Sequence, residues 1–397
     1  MDELAINGGK PTRDTYLSYG RQSIDDSDIE AVVKVIKGDY LTTGPTVMAF
    51  EERVANYVGA KYAVAVSNGT AALHAACYAA GIGEGDEVIV TPMTFAASSN
   101  CVLYCKGKPV FVDINPNTYN IDVNKIEEKI TAKTKAIIPV DFTGQAADLD
   151  KIKEIATKYN LTVIEDAAHA LGSEYKNKKI GSISHLTTFS FHPVKPITTA
   201  EGGMVVTDDK KLYDKLNMFR THAINRDESF LSKNEGPWYY EQIDLGYNYR
   251  ITDMQCALGI SQMDKIDDFI KKRREIVKLY NENFKALEAY ITLPYEESYS
   301  NSGWHLYIIK LKLEKLKVNR REIFEALKAE NIGVNVHYIP VYLHPYYRKL
   351  GYKKGLCIEA EKLYEKIITL PLFPKMTYKD AMDIITAVKK VIIHYAK

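Results

Sequence analysis

The sequence predicts an α/β fold: a large domain with a mostly parallel, mixed β-sheet flanked by helices, and a smaller C-terminal α+β domain. Short apolar runs alternate with helical segments between residues 62 and 165. Each run is apolar throughout, which is typical of parallel strands that are covered on both faces. A helical section without proline then precedes a second mixture of strands and helices. A chain of 397 residues is long enough for both domains.

The first helix is predicted directly after Asp25 and Asp26, because acidic and serine residues of this kind cap the start of a helix. Residues 41–46 read L-T-T-G-P-T and indicate a turn-rich loop. Apolar residues return to helical spacing over Met48–Tyr57. The N-terminal part is therefore expected to contain two helices joined by a loop.

Strands and helices then alternate along the chain. The predicted strands are Tyr62–Val66, Glu87–Thr91, Pro109–Asp113, Ala136–Val140, Leu161–Glu165 and, further on, Leu186–Phe191. The helices predicted between them are Thr70–Ala80, Phe95–Tyr104, Asn124–Ile130 and Leu149–Tyr159. In sheets of this type ligands bind beyond the carboxyl ends of the strands, so chemistry is expected there.

The section Thr252–Leu287 is strongly helical and is expected to connect two domains. After it, the pattern predicts one strand and three helices, over Trp304–Leu313, Arg320–Ala329, Glu359–Ile368 and Tyr378–Val391. We therefore predict a large domain over residues 1–250, a connecting region over 251–287 and a small domain over 288–397.

Charge and hydropathy exclude several classes of partner. The formal net charge is +1, which argues against nucleic-acid binding and against a charge-driven membrane contact. The sequence has no apolar stretch of spanning length, and its start lacks the basic and apolar regions of a secretory signal. We expect a cytoplasmic protein with neither a membrane nor a nucleic-acid partner.

Two motif types that could hold a ligand are rejected. Cys101 and Cys105 are four residues apart, but a structural zinc site would need a second pair, so the five cysteines are expected to be free thiols. No histidine pair has metal-ligand spacing with an acidic third ligand, and no metal is expected. The G-I-G-E-G run at residues 81–85 follows a helix and precedes a strand, the reverse of a dinucleotide-binding loop.

Lys195 lies in the stretch S-F-H-P-V-K-P-I-T-T-A-E-G-G, between Pro193 and Pro196. The prolines exclude a regular helix or a central strand, and the preceding strand leaves the lysine at a strand end. Lysine is the residue that forms Schiff bases with carbonyl substrates and with pyridoxal phosphate (PLP). The alternative is a solvated surface lysine, as most of the 52 lysines and arginines are.

Three other stretches follow predicted strands. Residues 67–72, S-N-G-T-A-A, would present backbone N–H groups at a helix start, which suits a phosphate; an ordinary turn with a threonine cap explains them as well. Asp166 could balance a protonated pyridine nitrogen, or it could cap the following segment. Phe95 could stack on a flat heterocycle, or it could belong to the core.

Together these stretches resemble the DegT-type sugar-nucleotide aminotransferases, PLP-dependent transferases of fold type I, the aspartate aminotransferase fold. The resemblance covers essentially the whole chain. It rests on five motifs in the family's order: T-T-G-P (42–45) with S-N-G-T-A-A-L (67–73), V-I-E-D-A-A-H-A (163–170), the lysine stretch (190–203), L-G-Y-N-Y-R-I-T-D-M-Q-C-A-L (245–258) and V-H-Y-I-P-V-Y-L-H-P-Y-Y (336–347).

The resemblance implies a cofactor site for PLP. Lys195 matches the lysine that holds the cofactor as an internal aldimine and then moves a proton, and Asp166 matches the partner of the pyridine nitrogen. Phe95 matches the stacking aromatic, and His169 stands where many members have glutamine. The positions that match the phosphate cradle are Gly69, Thr70, Ala71 and Ser190.

It also implies substrates and a partner chain. Asn248 matches an asparagine that reaches the phosphate from the neighbouring subunit, so a homodimer with shared active sites is expected. His337 matches a histidine near the sugar-nucleotide end of the site, and Thr42 and Tyr338 are expected to bind substrate as well. The usual amino donor of the family is L-glutamate, and the acceptor is expected to be a UDP-linked ketosugar.

Within the family, a dehydratase branch has histidine in place of the Schiff-base lysine, so Lys195 favours amino transfer. The lysine stretch and A-H-A-L-G-S-E-Y-K-N-K-K-I-G (168–181) look closest to the enzymes of pseudaminic acid synthesis, which aminate C4 of a UDP-linked 4-keto-6-deoxy-N-acetyl-hexosamine. The alternatives are another 3- or 4-keto sugar nucleotide, of perosamine or bacillosamine type, or a PLP-binding regulator without turnover. A nicotinamide oxidoreductase would need a glycine-rich loop between strand and helix, which the sequence lacks.

Overall fold

A seven-stranded β-sheet forms the centre of the computed structural model, which describes residues 3–397. Numbered in chain order, its strands are β1 (Tyr62–Val66), β2 (Glu87–Val90), β3 (Lys108–Phe111), β4 (Thr134–Ile138), β5 (Thr162–Asp166), β6 (Leu186–Ser190) and β7 (Gly203–Thr207). In space they lie in the order β1-β7-β6-β5-β4-β2-β3. This order places β4, β5 and β6 side by side in the middle of the sheet.

Strands β3, β2, β4, β5 and β6 pair in parallel, whereas β7 is antiparallel to both β6 and β1. The sheet is therefore mixed and mostly parallel, which confirms the predicted α/β fold class. Beyond their first polar residues, β2 and β4 are apolar and buried over 88–90 and 136–138, as expected of parallel strands that are covered on both faces.

Helices cover both faces of the sheet. Alternate residues of β1 show this, since Val64 and Val66 pack into one core and Ala63 and Ala65 into the other. The first core contains residues of the helices that start at Gly69, Ala97 and Lys210, and the second contains residues of those that start at Pro45, Leu149, Asp253 and Ile266. The helices are α1 (Asp26–Ile36), α2 (Pro45–Val58), α3 (Gly69–Ala79), α4 (Ala97–Tyr104), α5 (Leu149–Tyr159), α6 (Lys210–Arg220), α7 (Asp253–Met263), α8 (Ile266–Phe284), α9 (Arg320–Ala329), α10 (Pro345–Lys349), α11 (Ile358–Tyr364) and α12 (Tyr378–His394).

The C-terminal part has a smaller antiparallel sheet in which β9 lies between β8 and β10. Its strands are β8 (Ile291–Thr292), β9 (Tyr307–Leu311) and β10 (Ile367–Leu370). This sheet packs with α8, α9 and α12 around a third apolar core. Short strands outside these sheets pair Ile224–Asn225 with Glu241–Gln242, and Glu174–Tyr175 with both Lys178–Lys179 and Ser300–Asn301. No helix in residues 3–397 is both long and apolar enough to cross a membrane.

The prediction of a helix over Glu359–Ile368 is wrong at its C-terminal end. Helix α11 ends at Tyr364, and Ile367 begins β10. Two β-branched isoleucines followed by a proline at 371 favour an extended conformation, and the antiparallel partner β9 supplies the hydrogen bonds.

Three other predicted elements differ from the structure. Asn124–Ile130 forms two 3₁₀ turns instead of an α-helix. The strand predicted from Trp304 begins only at Tyr307, because Trp304 has a left-handed φ of 50° that a strand cannot contain. The helical section Thr252–Leu287 is divided between Met263 and Ile266 into α7 and α8. Strand β7 and helix α6 were not predicted.

Candidate active site

A cavity of about 1020 Å³ opens at the carboxyl ends of the central strands. Its wall includes the residues that follow β1, β2, β4 and β6, together with the last residue of β5. Ten of the predicted site residues lie on this wall: Gly69, Thr70, Ala71, Phe95, Asp166, His169, Ser190, Lys195, His337 and Tyr338. Residues that are more than 260 positions apart in the sequence therefore meet at one edge of the sheet.

Lys195 is held five residues beyond the end of β6. Its backbone N–H donates to the carbonyl of His192 at 2.9 Å, and the N–H of Thr199 donates to the carbonyl of Phe191 at 3.0 Å. These two bonds close a compact loop around the prolines. The side chain is half-buried on the cavity wall. Loss of hydration lowers the pKa of Lys195 to about 8, and the negative charge of Asp166 opposes this shift.

Asp166 is the last residue of β5 and only 4% exposed. Its Oδ2 accepts a hydrogen bond from the Ser98 hydroxyl at 2.6 Å, and its Oδ1 accepts one from the Ala168 N–H at 3.1 Å. Burial raises the pKa of Asp166, while these hydrogen bonds and the charge of Lys195 act in the opposite direction. A positive charge placed against this carboxylate would stabilise its ionised form.

The N-terminus of α3 forms a concave surface for an anion. Asn68 caps the helix by accepting from the Ala71 N–H at 2.8 Å. The N–H groups of Gly69 and Thr70 are the first two of the helix and have no partner within it. Ser190 lies opposite Gly69 so closely that a Cβ at position 69 would be 2.7 Å from the Ser190 Cβ. This space, with the helix dipole behind it, fits a phosphate group.

Phe95 lies on the cavity wall with 61% of its surface exposed. Its ring centroid is 6.2 Å from that of Tyr338. An aromatic side chain of this size that is left open on a cavity wall can stack on a flat ring. The core alternative for Phe95 does not fit this exposure.

His169 and His337 lie on the cavity wall, and His305 packs against His169. The rings of His169 and His305 are 4.3 Å apart, and the Nδ1 atoms of both are buried without a hydrogen-bond partner in residues 3–397. His337 shares a hydrogen bond of 2.9 Å with the Thr369 hydroxyl. Burial lowers the pKa of His169 and His305, and lowers that of His337 to about 4, so these imidazoles are neutral near pH 7.

Two predicted site residues lie away from this cavity. Thr42 and Asn248 are exposed and do not belong to its wall. Each is held by an isolated β-bridge, Thr42 to Thr252 and Asn248 to Thr221. Within one chain, therefore, the structure does not bring them to Lys195.

The sequence analysis missed several wall residues. Ser98 is the most consequential, since it donates directly to Asp166. Its only signal is its position in the helix that follows β2, four residues after Thr94, whose hydroxyl lies 2.7 Å from its own. Other polar wall residues that were not singled out include Tyr19, His192, Glu201, Tyr249, Asn335 and His344. Four of these, all except Tyr19 and Asn335, lie within motifs that carry the family resemblance. Among residues 3–397, no group of three or more His, Cys, Asp or Glu side chains is arranged to hold a metal ion.

The site thus combines an amine with a lowered pKa, a buried carboxylate, an exposed aromatic ring and an anion-binding helix start, the arrangement of a PLP-dependent enzyme. A family model agrees: that of the DegT/DnrJ/EryC1/StrS aminotransferase family matches residues 22–389. The chain belongs to this family.

Two curated relatives span almost the whole chain. An uncharacterized protein of Methanocaldococcus jannaschii is 48% identical over 96% of this chain and 98% of its own length. A UDP-4-amino-4,6-dideoxy-N-acetyl-beta-L-altrosamine transaminase of Campylobacter jejuni is 42% identical over 92% of this chain and 94% of its own length.

Solved structures of similar proteins have the same fold. PseC of Helicobacter pylori, an aminotransferase of pseudaminic acid biosynthesis, superposes with a TM-score of 0.89 at 32% identity, covering 96% of this chain and all of its own. The PLP form of a Streptococcus pneumoniae protein described as a sugar aminotransferase gives 0.88 at 31% identity, covering 96% and 99%. The chain is a PLP-dependent sugar-nucleotide aminotransferase with the fold-type-I architecture predicted for it.

Proposed function

We propose that this aminotransferase moves an amino group from L-glutamate to C4 of a UDP-linked 4-keto-6-deoxy-N-acetyl-hexosamine, as in pseudaminic acid synthesis. The observation that carries the proposal is the 42% identity, over 92% of the chain, to a transaminase named for the 4-amino altrosamine product. The similarity to PseC supports the same substrate class.

The proposed cofactor site consists of residues on the cavity wall. Lys195 would hold PLP covalently, Phe95 would stack on its ring, and His169 would face its ring substituents. When bound, PLP supplies an electron sink for the carbon that carries the amino group. The phosphate would lie against Gly69, Thr70, Ala71 and Ser190. Of these, Gly69 and Thr70 offer N–H groups, whereas the Ala71 N–H already bonds to Asn68.

Lys195 has a second proposed role as the proton carrier. Its pKa of about 8 leaves a fraction of the amine unprotonated near neutral pH. Lys195 Nζ would take a proton from the α-carbon of glutamate, which leaves as 2-oxoglutarate, and would later deliver a proton to C4 of the sugar. Asp166 would keep a negative charge beside the pyridine nitrogen throughout.

The sugar nucleotide would enter at the histidine side of the cavity. His337 and Tyr338 lie on that wall. His337 is neutral near pH 7, so its ring can donate a hydrogen bond to a sugar hydroxyl or accept one from it without adding charge. Thr42 and Asn248 would act from the partner subunit of a homodimer. Both are exposed and neither lines the cavity of its own chain, which supports this assignment.

The first experiment is an absorbance spectrum of the protein with PLP, before and after addition of L-glutamate, for the wild type and Lys195→Ala. We expect a band of lysine-bound PLP in the wild type that glutamate removes, and no such band in the variant. Lys195→Arg is the matched control, since it keeps a cation but offers no Schiff-base amine. A glutamate-sensitive band in Lys195→Ala would contradict the assignment of Lys195.

The same assay then identifies the acceptor. UDP-linked 4-keto-6-deoxy-N-acetyl-hexosamine should restore the band after glutamate has removed it. Restoration only by perosamine-type or bacillosamine-type ketosugars would replace the proposed substrate with one of those. A band that does not respond to glutamate would point to another amino donor or to a regulator without turnover.

A further inference from the structure

Asp141 and Glu165 are two buried acidic side chains that face the second apolar core of the large sheet. Ile164 belongs to the first core and Val163 to the second, so Glu165 faces the second core. Asp141 accepts from the N–H of Ala147, which belongs to that core as well. Both acidic residues are 0% exposed. The charge of Glu165 acts on the Asp141 carboxyl group, so the two groups lie close to each other.

Each carboxyl group of this pair has one oxygen that accepts a hydrogen bond and one that has no partner in the described chain. Asp141 Oδ1 accepts from the Ala147 N–H at 2.9 Å, and Glu165 Oε2 accepts from the Thr187 hydroxyl at 3.0 Å. Asp141 Oδ2 and Glu165 Oε1 are buried and have no hydrogen-bond partner in residues 3–397. Ionised carboxylates only accept hydrogen bonds, so two of them bond to each other only if one carries a proton.

The described residues around Asp141 and Glu165 carry no positive charge that would balance two ionised carboxylates. No Lys, Arg or His of the described chain forms an ion pair with either carboxyl group. Ala146, Ala147 and Ala167 nearby belong to the apolar core, and the next charged group is the carboxylate of Asp166. Burial and the charge of Glu165 raise the pKa of Asp141 well above its usual range, and burial raises that of Glu165.

The pair is joined to the proposed cofactor site through the backbone. The Asp141 N–H donates to the carbonyl of Asp166 at 3.1 Å, and the Asp166 N–H donates to the carbonyl of Pro139 at 2.9 Å. Asp141 also precedes a turn whose Thr143 carbonyl accepts from the N–H of Leu306 at 3.2 Å. Leu306 is next to His305, whose ring packs against that of His169. A change at Asp141 would therefore affect the positions of both Asp166 and the segment that carries His305.

We propose that Asp141 and Glu165 share one proton, and that the pair positions the strand end carrying Asp166 while leaving one negative charge behind the site. The inference rests on the proposed role of Asp166 as partner of the cofactor ring. Asp141 and Glu165 are then positioning residues that do not touch substrate. Their single charge would stabilise positive charge in the cavity, including a proton on the nitrogen that links Lys195 to PLP.

The shared proton is tested by infrared spectroscopy near pH 7 in an Asp166→Asn background, which removes the neighbouring buried carboxyl group whose pKa is also raised. We expect the C=O band of a protonated carboxylic acid in this background. The band should vanish with Asp141→Asn, and equally with Glu165→Gln, because each amide can donate to the remaining carboxylate. Glu127→Gln, an exposed carboxylate bound to Lys158, is the control and should leave the band unchanged. Absence of the band from the background protein would overturn the proposal.

The charge of the pair is tested by the pH at which the absorbance band of PLP-loaded protein titrates, with Asp166 intact. One shared proton predicts no shift in either single amide variant. It predicts a downward shift of roughly half to one pH unit in the double variant, which loses the last negative charge. A shift already present in both single variants would mean that both carboxylates are ionised, and no shift in the double variant would mean that both are protonated. Either result would overturn the proposal.

If one of Asp141→Asn and Glu165→Gln does not fold, the other is sufficient for the infrared test. The outcome is also separable from the proposed function. If Asp166→Asn keeps full aminotransferase activity, the role of Asp166 fails, while the infrared result still decides whether the proton is shared.

Discussion

Lys195 shows at the scale of one residue how burial prepares a group for its chemistry. An exposed lysine is almost fully protonated near neutral pH and is a poor nucleophile. On the cavity wall, loss of hydration lowers the pKa of Lys195 to about 8. The neutral amine, which attacks the cofactor aldehyde, is therefore populated about two pH units lower than for a lysine in water.

This pKa predicts how the apoprotein takes up PLP. The rate of covalent incorporation should rise with pH and level off above about 8, because a base whose pKa is lowered becomes neutral above that lower value. Stopped-flow absorbance of apoprotein mixed with PLP at a series of pH values measures it. Asp166→Asn should move the midpoint further down, since the charge of Asp166 holds the proton on Lys195. A midpoint near 10.5, the value of a free lysine, would show that burial does not act on this amine.

Single residues also mark the limit of sequence reasoning. Lys195 and Asp166 could be proposed because prolines, or the polar end of an apolar strand, set them apart from their neighbours. Neither Ser98 nor His305 is distinguished from its neighbours by a sequence feature of this kind. Their contacts to Asp166 and His169 join positions 68 and 136 residues apart, and only the folded sheet brings these together.

At the scale of elements, local chemistry explains which ones were predicted well. Helices α5 and α9 have the predicted bounds, and each starts at a residue whose side chain caps the first turn, Asp148 and Asn319. Strand β7 has a weak local signal, with a glycine at its start and five residues in all. It forms because β1 and β6 offer hydrogen bonds on both sides. Partners of this kind are not visible in the local sequence.

Strand β7 also supports the start of α3, where the phosphate is proposed to bind. Its first residue, Gly203, packs against Asn68 and Gly69, so a substitution there tests this support. A Cβ at Gly203 would lie 2.4 Å from the Asn68 carbonyl oxygen and 2.8 Å from the Gly69 nitrogen. These are backbone atoms, so Gly203→Ala must push the start of α3 away from β7. We expect at least a tenfold weaker affinity for PLP and a loss of about 1–3 kcal/mol in the free energy of unfolding.

Absorbance titration with PLP and urea unfolding of the apoprotein measure the two effects. Gly83→Ala is the matched control, because its Cβ would meet only the Asp86 carboxylate, at 4.0 Å. Equal PLP affinity in Gly203→Ala and the wild type would show that the cradle tolerates this displacement.

At the scale of the whole molecule, the connecting helix α8 joins the site to the C-terminal sheet. Arg273 is fully buried in α8, and its Nη1 donates to the carbonyl of Leu372 at 2.7 Å and to those of Trp304 and His305 at 3.3–3.4 Å. A guanidinium that bonds to three carbonyls fixes the segment carrying His305 relative to the large sheet. The predicted boundaries at residues 250 and 287 remain a prediction, since core residues such as Leu306 and Ile308 pack with the large sheet.

Assembly is the remaining property of the whole molecule, and it can be tested by mixing inactive variants. If Asn248 serves the partner's cavity, a mixed dimer of Lys195→Ala and Asn248→Asp chains contains one intact site, with Lys195 from one chain and Asn248 from the other. Asn248→Asp should be inactive alone, because it places a negative charge beside the phosphate. Mixing the two inactive proteins under conditions of subunit exchange should restore roughly a quarter of wild-type activity, since half of the dimers are mixed and each has one working site.

The matched control mixes Lys195→Ala with Asp166→Asn, whose side chains lie on the wall of one chain's own cavity. Every site in that mixture lacks one of the two groups, so no activity should return. Recovery in the first mixture but not in the second would place Asn248 across a subunit boundary. Failure of both, with subunit exchange verified by differently tagged chains, would mean that Asn248 acts in its own chain. Its exposure in the structure would then need a rearrangement that brings it to the cavity, and the shared-site model would be wrong.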